Sequence, residues 1–300
     1  MSRQNPDVSA NEDAFDEHEL KTIEDKAPIR PPAIFEVVRR QGETELARPA
    51  SALILSGLVA GLAIGFSVLG EGLFRTHLPD AAWRPLVESL GYSIGFLIVI
   101  LGQMQLFTEN TITAVCPALD SPNRIILWRL VRLWALVLVT NIIGASIFGY
   151  VLHATGGYQP EVWAAIRDLA LHATEPGWTE TMLRGIGAGW LIAALVWIMP
   201  NADGAKPLMI ILITWLIALA DFAHVVAGAT EASFLVFVGD ISSGEAVAGF
   251  MVPALIGNIL GGTVFFTVVT WGQIKAELAD DEPPWLKKIE DRQKPEEPPG

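Results

Sequence analysis

Six stretches of this chain run apolar without a single Asp, Glu, Lys or Arg: Ala50 to Gly70, Ser89 to Thr108, Leu133 to Tyr150, Gly185 to Ala202, Pro207 to Ala220 and Ala246 to Ile274. Crossing about 30 Å of hydrocarbon takes about 20 apolar residues in a helix. Only a helix or a closed barrel satisfies its own backbone there. The pattern predicts an all-α polytopic membrane protein with six transmembrane helices.

The halves of this pattern repeat. Asn141-Ile-Ile-Gly-Ala-Ser-Ile-Phe148 in span three matches Asn258-Ile-Leu-Gly-Gly-Thr-Val-Phe265 in span six, and Gly57-Leu-Val-Ala-Gly61 in span one resembles Gly185-Ile-Gly-Ala-Gly189 in span four. Three spans per repeat is an odd number, so the second half enters the bilayer from the opposite side. A 3+3 inverted repeat places a solute path near the midplane, at interrupted helices in corresponding positions.

Spans two and five correspond, and both look interrupted. Span two reaches Thr108, meets Glu109-Asn110 and continues apolar to Pro117 and Leu119. Span five has fourteen uncharged residues before Asp221, then a mixed segment around His224, Gly228 and Glu231, then another apolar run to Gly239.

Outside the spans the pattern turns polar. Residues 1–33 form an acidic, Pro-containing N-terminal tail expected to be disordered, without the basic and apolar regions of a cleaved signal peptide. Residues 34–48 alternate apolar and charged positions at helical spacing, which suits a short interfacial helix. Residues 49–275 make up the channel domain, and 276–300 read as a disordered tail. Lys and Arg gather on one side of the spans (Arg39, Arg40, Arg48, Arg124, Arg129, Arg132, Lys206 and Lys275, against Arg75, Arg84, Arg167 and Arg184), which predicts cytoplasmic termini.

Composition narrows the function. A mean hydropathy of +0.42 and 51% hydrophobic residues in 300 exceed what a soluble domain carries. The net charge of −13 sits mainly in the tails, with no basic stripe, and argues against nucleic acid. Cys116 is the only cysteine, so an intrachain disulfide and a cysteine-based zinc site are ruled out. Catalytic triads, phosphate loops and metal-spaced histidines do not occur, and no cofactor is expected.

Candidate chemistry lies at the breaks. His224 is the only histidine inside a span, where an ionisable side chain is costly unless it faces protein or water; it is either a functional group or a hydrogen bond between helices. Glu109, Asn110, Asp221 and Glu231 flank the breaks as pore-mouth residues or helix caps. Asn141 and Asn258 must find partners in an apolar bundle. Tyr92 and Phe96 share a helical face upstream of Phe107 and are candidate constrictions. The Gly57/Gly61 and Gly185/Gly189 spacings read as close helix contacts.

With Leu106-Phe107-Thr108-Glu109-Asn110 at one break, His224 at the other and Gly257-Asn258-Ile-Leu-Gly-Gly262 in span six, residues 34–274 resemble the formate/nitrite transporter family; Leu183-Arg184-Gly185-Ile186 is a weaker match. The resemblance implies an aquaporin-like protomer in a homopentamer in a cytoplasmic (inner) membrane. Each protomer would pass small monovalent weak-acid anions such as formate, nitrite or hydrosulfide. It implies His224 as the central pore residue, Thr108 and Asn258 as its hydrogen-bonding surroundings, and Leu106 beside them. Ala223, Gly228 and Gly189 stand where members usually carry Glu, Asn and Asn, which marks a divergent branch. A pore for a small neutral solute and a non-conducting membrane scaffold are the competing expectations.

Overall fold

The computed structural model describes Asp16, His18, Glu19, residues 27–156 and residues 159–279. Among the described residues every regular element is helical. Five helices are long and apolar enough to cross a membrane: α2 (Ala50–His77), α3 (Arg84–Leu101), α5 (Arg124–Thr155), α7 (Trp178–Asn201) and α10 (Glu245–Leu278). Two shorter apolar helices, α8 (Lys206–Leu219) and α9 (Val225–Val238), follow one another through a break. The expected fifth span is therefore α8, completed by α9. Amphipathic α1 (Pro31–Ala47) precedes the bundle, short α4 (Val115–Asp120) follows the first break, and α6 (Pro160–Thr174) joins α5 to α7.

Small residues set the packing. Helices α2 and α5 form one close pair, α7 and α10 another. A Cβ at Gly61 would strike the carbonyl oxygen of Asn141, and one at Gly189 the carbonyl oxygen of Asn258. A Cβ at Gly144 would strike Leu58 O, and one at Gly261 Ile186 O. These are equivalent backbone approaches in the two halves, and they require the absence of a side chain. The repeat read from the sequence is a repeat of helix contacts.

The apolar pattern misplaces three boundaries. Span two does not run as helix to Thr108: α3 stops at Leu101, and regular structure resumes only with a 3₁₀ turn at Glu109–Thr111. Gln103 adopts φ 53°, which ends the helix, and Asp221 adopts φ 53° at the equivalent place after α8. Irregular backbone at membrane depth survives where protein supplies its hydrogen bonds, so hydrophobicity alone does not mark it. At the ends, α1 begins at Pro31, three residues before the expected start, because proline suits the first helical position; its N-terminal neighbour Ile29 exchanges hydrogen bonds with Asn201. The last helix continues to Ala279, beyond the expected limit at 275. The remainder of the two expected tails lies outside the described residues.

Helix α1 lies on the first broken segment. Ile34, Phe35 and Val38 pack with Ile112, Cys116, Ala193 and Phe266, and Gly42 abuts the Thr113 carbonyl and Pro117. Arg39 ion-pairs with Glu36 and Glu43 on its own helix and approaches Asp120 at 3.9 Å. Hydrogen bonds from Arg39 and from Arg40 hold the Glu36 carboxyl down at about 2.

Candidate functional site

The two broken segments meet in the middle of the molecule, each held by an asparagine. Asn141 on α5 accepts from the Phe107 N–H (2.9 Å) and donates to Gln105 O (2.9 Å) and Gly57 O (2.8 Å). Asn258 on α10 accepts from the Val225 N–H (2.9 Å) and donates to Ala223 O (2.8 Å) and Gly185 O (2.9 Å). Both side chains are buried. Each asparagine satisfies the two peptide groups that flank one residue, Leu106 in the first half and His224 in the second. A break in lipid must have its orphaned backbone groups filled from elsewhere, and these two side chains fill them.

His224 sits at the start of α9. Its Nδ1 accepts from the Ala227 N–H at 3.3 Å, capping the helix. An imidazole nitrogen that accepts is unprotonated, so the ring proton resides on Nε2. Nε2 lies 2.8 Å from Thr108 Oγ1 and donates to it, which leaves the Thr108 hydroxyl proton without an acceptor among the described residues. Protonating Nδ1 would break the cap. Phe96 meets the imidazole edge-on at 5.1 Å between centroids, and Tyr92 stacks on Phe96 at 5.1 Å.

Cavities approach this contact from two sides. The larger, about 620 Å³, is lined by Leu106, Glu109, Asn110, Gln105, Glu45 and Lys206 among others. The smaller, about 80 Å³, is lined by His224, Tyr92, Glu71, Glu231, Asp221 and Arg184 among others. Leu106 faces one and His224 the other, with the Thr108–His224 hydrogen bond between.

The remaining expected residues are placed as follows. Phe107 is buried edge-on to Trp134 at 5.7 Å and lines neither cavity; Phe96, although it packs against the imidazole, lines neither as well, and of the three expected aromatic constrictions Tyr92 alone borders one of these two cavities. Asn110 donates to Gln105 Oε1 (3.2 Å) and Leu106 O (3.1 Å), while its own carbonyl accepts from Trp134 Nε1 (3.1 Å); it knits the break together. Glu109 caps nothing, and its Oε1 is buried with no partner among the described residues. Asp221 pairs with His172 at 3.3 Å. Sequence reasoning missed Glu71, because the first apolar stretch was ended at Gly70. The 28-residue helix α2 runs past it and buries it. A carboxylate inside so long a helix was the available signal.

The chain is 40% identical to the "Inner membrane protein YfdC" of Escherichia coli (strain K12) over 92% of this chain and 88% of that protein. It is 25% identical to the "Formate channel BtFdhC" of Bacillus thuringiensis over 79% and 92% of the respective chains. A solved structure, "Pentameric formate channel with formate bound", superposes with a TM-score of 0.64 at 21% identity, covering 76% of this chain and 97% of that one. The signature of the formate/nitrite transporter family spans residues 32–272, and on that extent the chain belongs to the formate/nitrite transporter family.

Proposed function

We propose that the protein is a channel for small monovalent weak acids of the formate, nitrite and hydrosulfide class, and that solute crosses at the Thr108–His224 contact. The observation that carries this reading is the pair of cavities that end on opposite sides of one hydrogen bond between two broken helices. A bare anion loses most of its hydration in a narrow apolar passage. The free proton of the Thr108 hydroxyl, whose oxygen accepts from the Nε2–H of His224, is a donor placed where that loss is greatest. Leu106 narrows the path at the larger cavity and Tyr92 at the smaller, with Phe96 packed between Tyr92 and the imidazole. The named relatives favour the same class: one is a formate channel, and the superposed formate channel is pentameric. We extend both properties to this chain, and with them an inner-membrane location like that of the 40% identical relative, termini in the cytoplasm.

A second reading, passage of the neutral undissociated acid, is favoured by the carboxylates facing both cavities: Glu45 and Glu109 in the larger, Glu71 and Glu231 in the smaller. Stopped-flow flux of formate, nitrite, hydrosulfide and acetate into proteoliposomes at two pH values decides between the readings. Saturable flux that rises as external pH falls and drops about tenfold in Thr108→Val and in His224→Ala supports the weak-acid pore, a loss of the size expected for one unsatisfied buried polar group, about 1–3 kcal/mol. Flux that follows only the undissociated concentration supports the neutral reading. Absence of flux for all four solutes through folded protein overturns both.

A further inference from the structure

We propose that the smaller cavity is a binding site for a small monovalent cation of the ammonium class, clasped by the carboxylates of Glu71 and Glu231. Each of these side chains is only 9% exposed, and both line the same cavity. Glu71 comes from α2 and Glu231 from α9, so two elements distant in sequence converge on one small space. No described residue hydrogen-bonds to or ion-pairs with either carboxylate, and neither is among the side chains sealed without a partner; their free oxygens face the cavity. The Tyr92 hydroxyl, on a residue 6% exposed, is in the same situation and lines the same space.

The surrounding cations are already committed. Arg184 is held by Glu180 at 2.7 Å, and the His172 ring, whatever its charge, faces Asp221 at 3.3 Å. Arg75 binds Glu88 at 3.3 Å, and Arg84 binds Glu88 at 3.3 Å and Asp80 at 3.1 Å. Glu231, Glu88 and Asp221 lie within electrostatic reach of Glu71, with Arg75 as the one opposing charge. The cavity is therefore short of positive charge, and an entering cation is what would favour the ionised form of these buried carboxylates.

The lining selects among cations. Among the described residues no group of three His, Cys, Asp or Glu is arranged to hold a metal ion, and hard divalent ions demand six or more oxygen ligands. The walls supply rings instead: Tyr92, Phe222 and Phe250. Aromatic faces beside carboxylates suit an ammonium group. A volume of about 80 Å³ admits ammonium or methylammonium, and carboxylate and hydroxyl oxygens favour a cation that keeps N–H donors over a quaternary ion, which has none. The inference takes from the proposed function only that this cavity opens to solvent.

The test uses full-length protein in detergent and in proteoliposomes. Thermal stability is titrated with methylammonium chloride against tetramethylammonium chloride at matched ionic strength, and formate flux is followed in parallel. Saturable stabilisation by methylammonium alone is expected, with half-saturation raised at least tenfold in Glu231→Gln and in Glu71→Gln, both of which keep side-chain volume. Should either variant fail to fold, competition between ammonium and methylammonium on the wild-type protein supplies the same readout. Equal stabilisation by both salts, or a response unchanged by the glutamines, overturns the cation site whatever the flux. Methylammonium stabilisation with no flux of any weak acid supports the cation site while removing the proposed function.

Discussion

Replacing Asn258 by alanine removes three hydrogen bonds at once, those from the Val225 N–H and to Ala223 O and Gly185 O. Two of the three freed groups flank His224 in the buried break. Side-chain hydrogen bonds inside membrane proteins average about 0.6 kcal/mol and reach about 1.7. Three of them give a loss of about 2 to 5 kcal/mol. Unfolding in mixed detergent micelles, followed by tryptophan fluorescence, measures this directly. Asn258→Asp is the informative companion. It keeps volume and the acceptor for Val225, but turns an anionic oxygen toward two carbonyls, so it should destabilise at least as much as alanine. Asn141→Ala should cost a similar amount, since its three bonds are equivalent. Stabilities of Asn258→Ala and Asn258→Asp within 0.5 kcal/mol of wild type would refute the clamp, because a side chain that only fills space tolerates the aspartate.

Three further outcomes follow from the packing and the surface charges. Gly189→Ala should lose about 1–3 kcal/mol in the same micelle assay, because its Cβ meets the Asn258 carbonyl, and Gly61→Ala should match it. Gln103→Gly should gain about 1 kcal/mol by relieving the positive φ, against no gain at exposed helical positions such as Gln273. Arg167 binds Asp240 through two bonds of 2.7 and 2.8 Å and holds that carboxyl below its ordinary 3.8. The pair therefore contributes above pH 3.8, and its contribution disappears as pH falls through the lowered value; Asp240→Asn should flatten that acid limb, with a difference that shrinks in high salt.

How much of this was legible in the sequence depends on how far each residue's partners lie. The Asn141/Asn258 repeat announced both clamps, since an asparagine in an apolar helix has to bond something and its recurrence fixed where. Gly61, Gly185 and Gly189 became backbone contacts as read, while Gly57 lies against the side chains of Thr140 and Asn141. His224 stood out because histidine at that depth needs company, and Thr108 is that company. The end of α3 at Leu101 was hidden, because Met104 to Phe107 carry no charge, and the Gln105 carbonyl and Phe107 N–H find their partner in Asn141, more than thirty positions away. Helix α6 escaped for the opposite reason: its charges, Glu161, Arg167 and Asp168, break the apolar pattern that marks a span. The pairing of Glu71 with Glu231 needs α2 and α9 side by side, and no local pattern predicts that adjacency.

The duplicate clamp also bears on how such a pore can open. Two loops that each depend on three buried bonds are not hinges. A conformer with one clamp undone lies about 2 to 5 kcal/mol above the ground state, a population of about one in thirty to one in several thousand. A cycle that swung either loop on every turnover would spend most of its time waiting for that state. Rotation of the buried Phe96 or Leu106 side chain, by contrast, leaves the clamps whole. On the proposed function, opening then falls to side chains turning within a fixed frame rather than to rearrangement of the two halves.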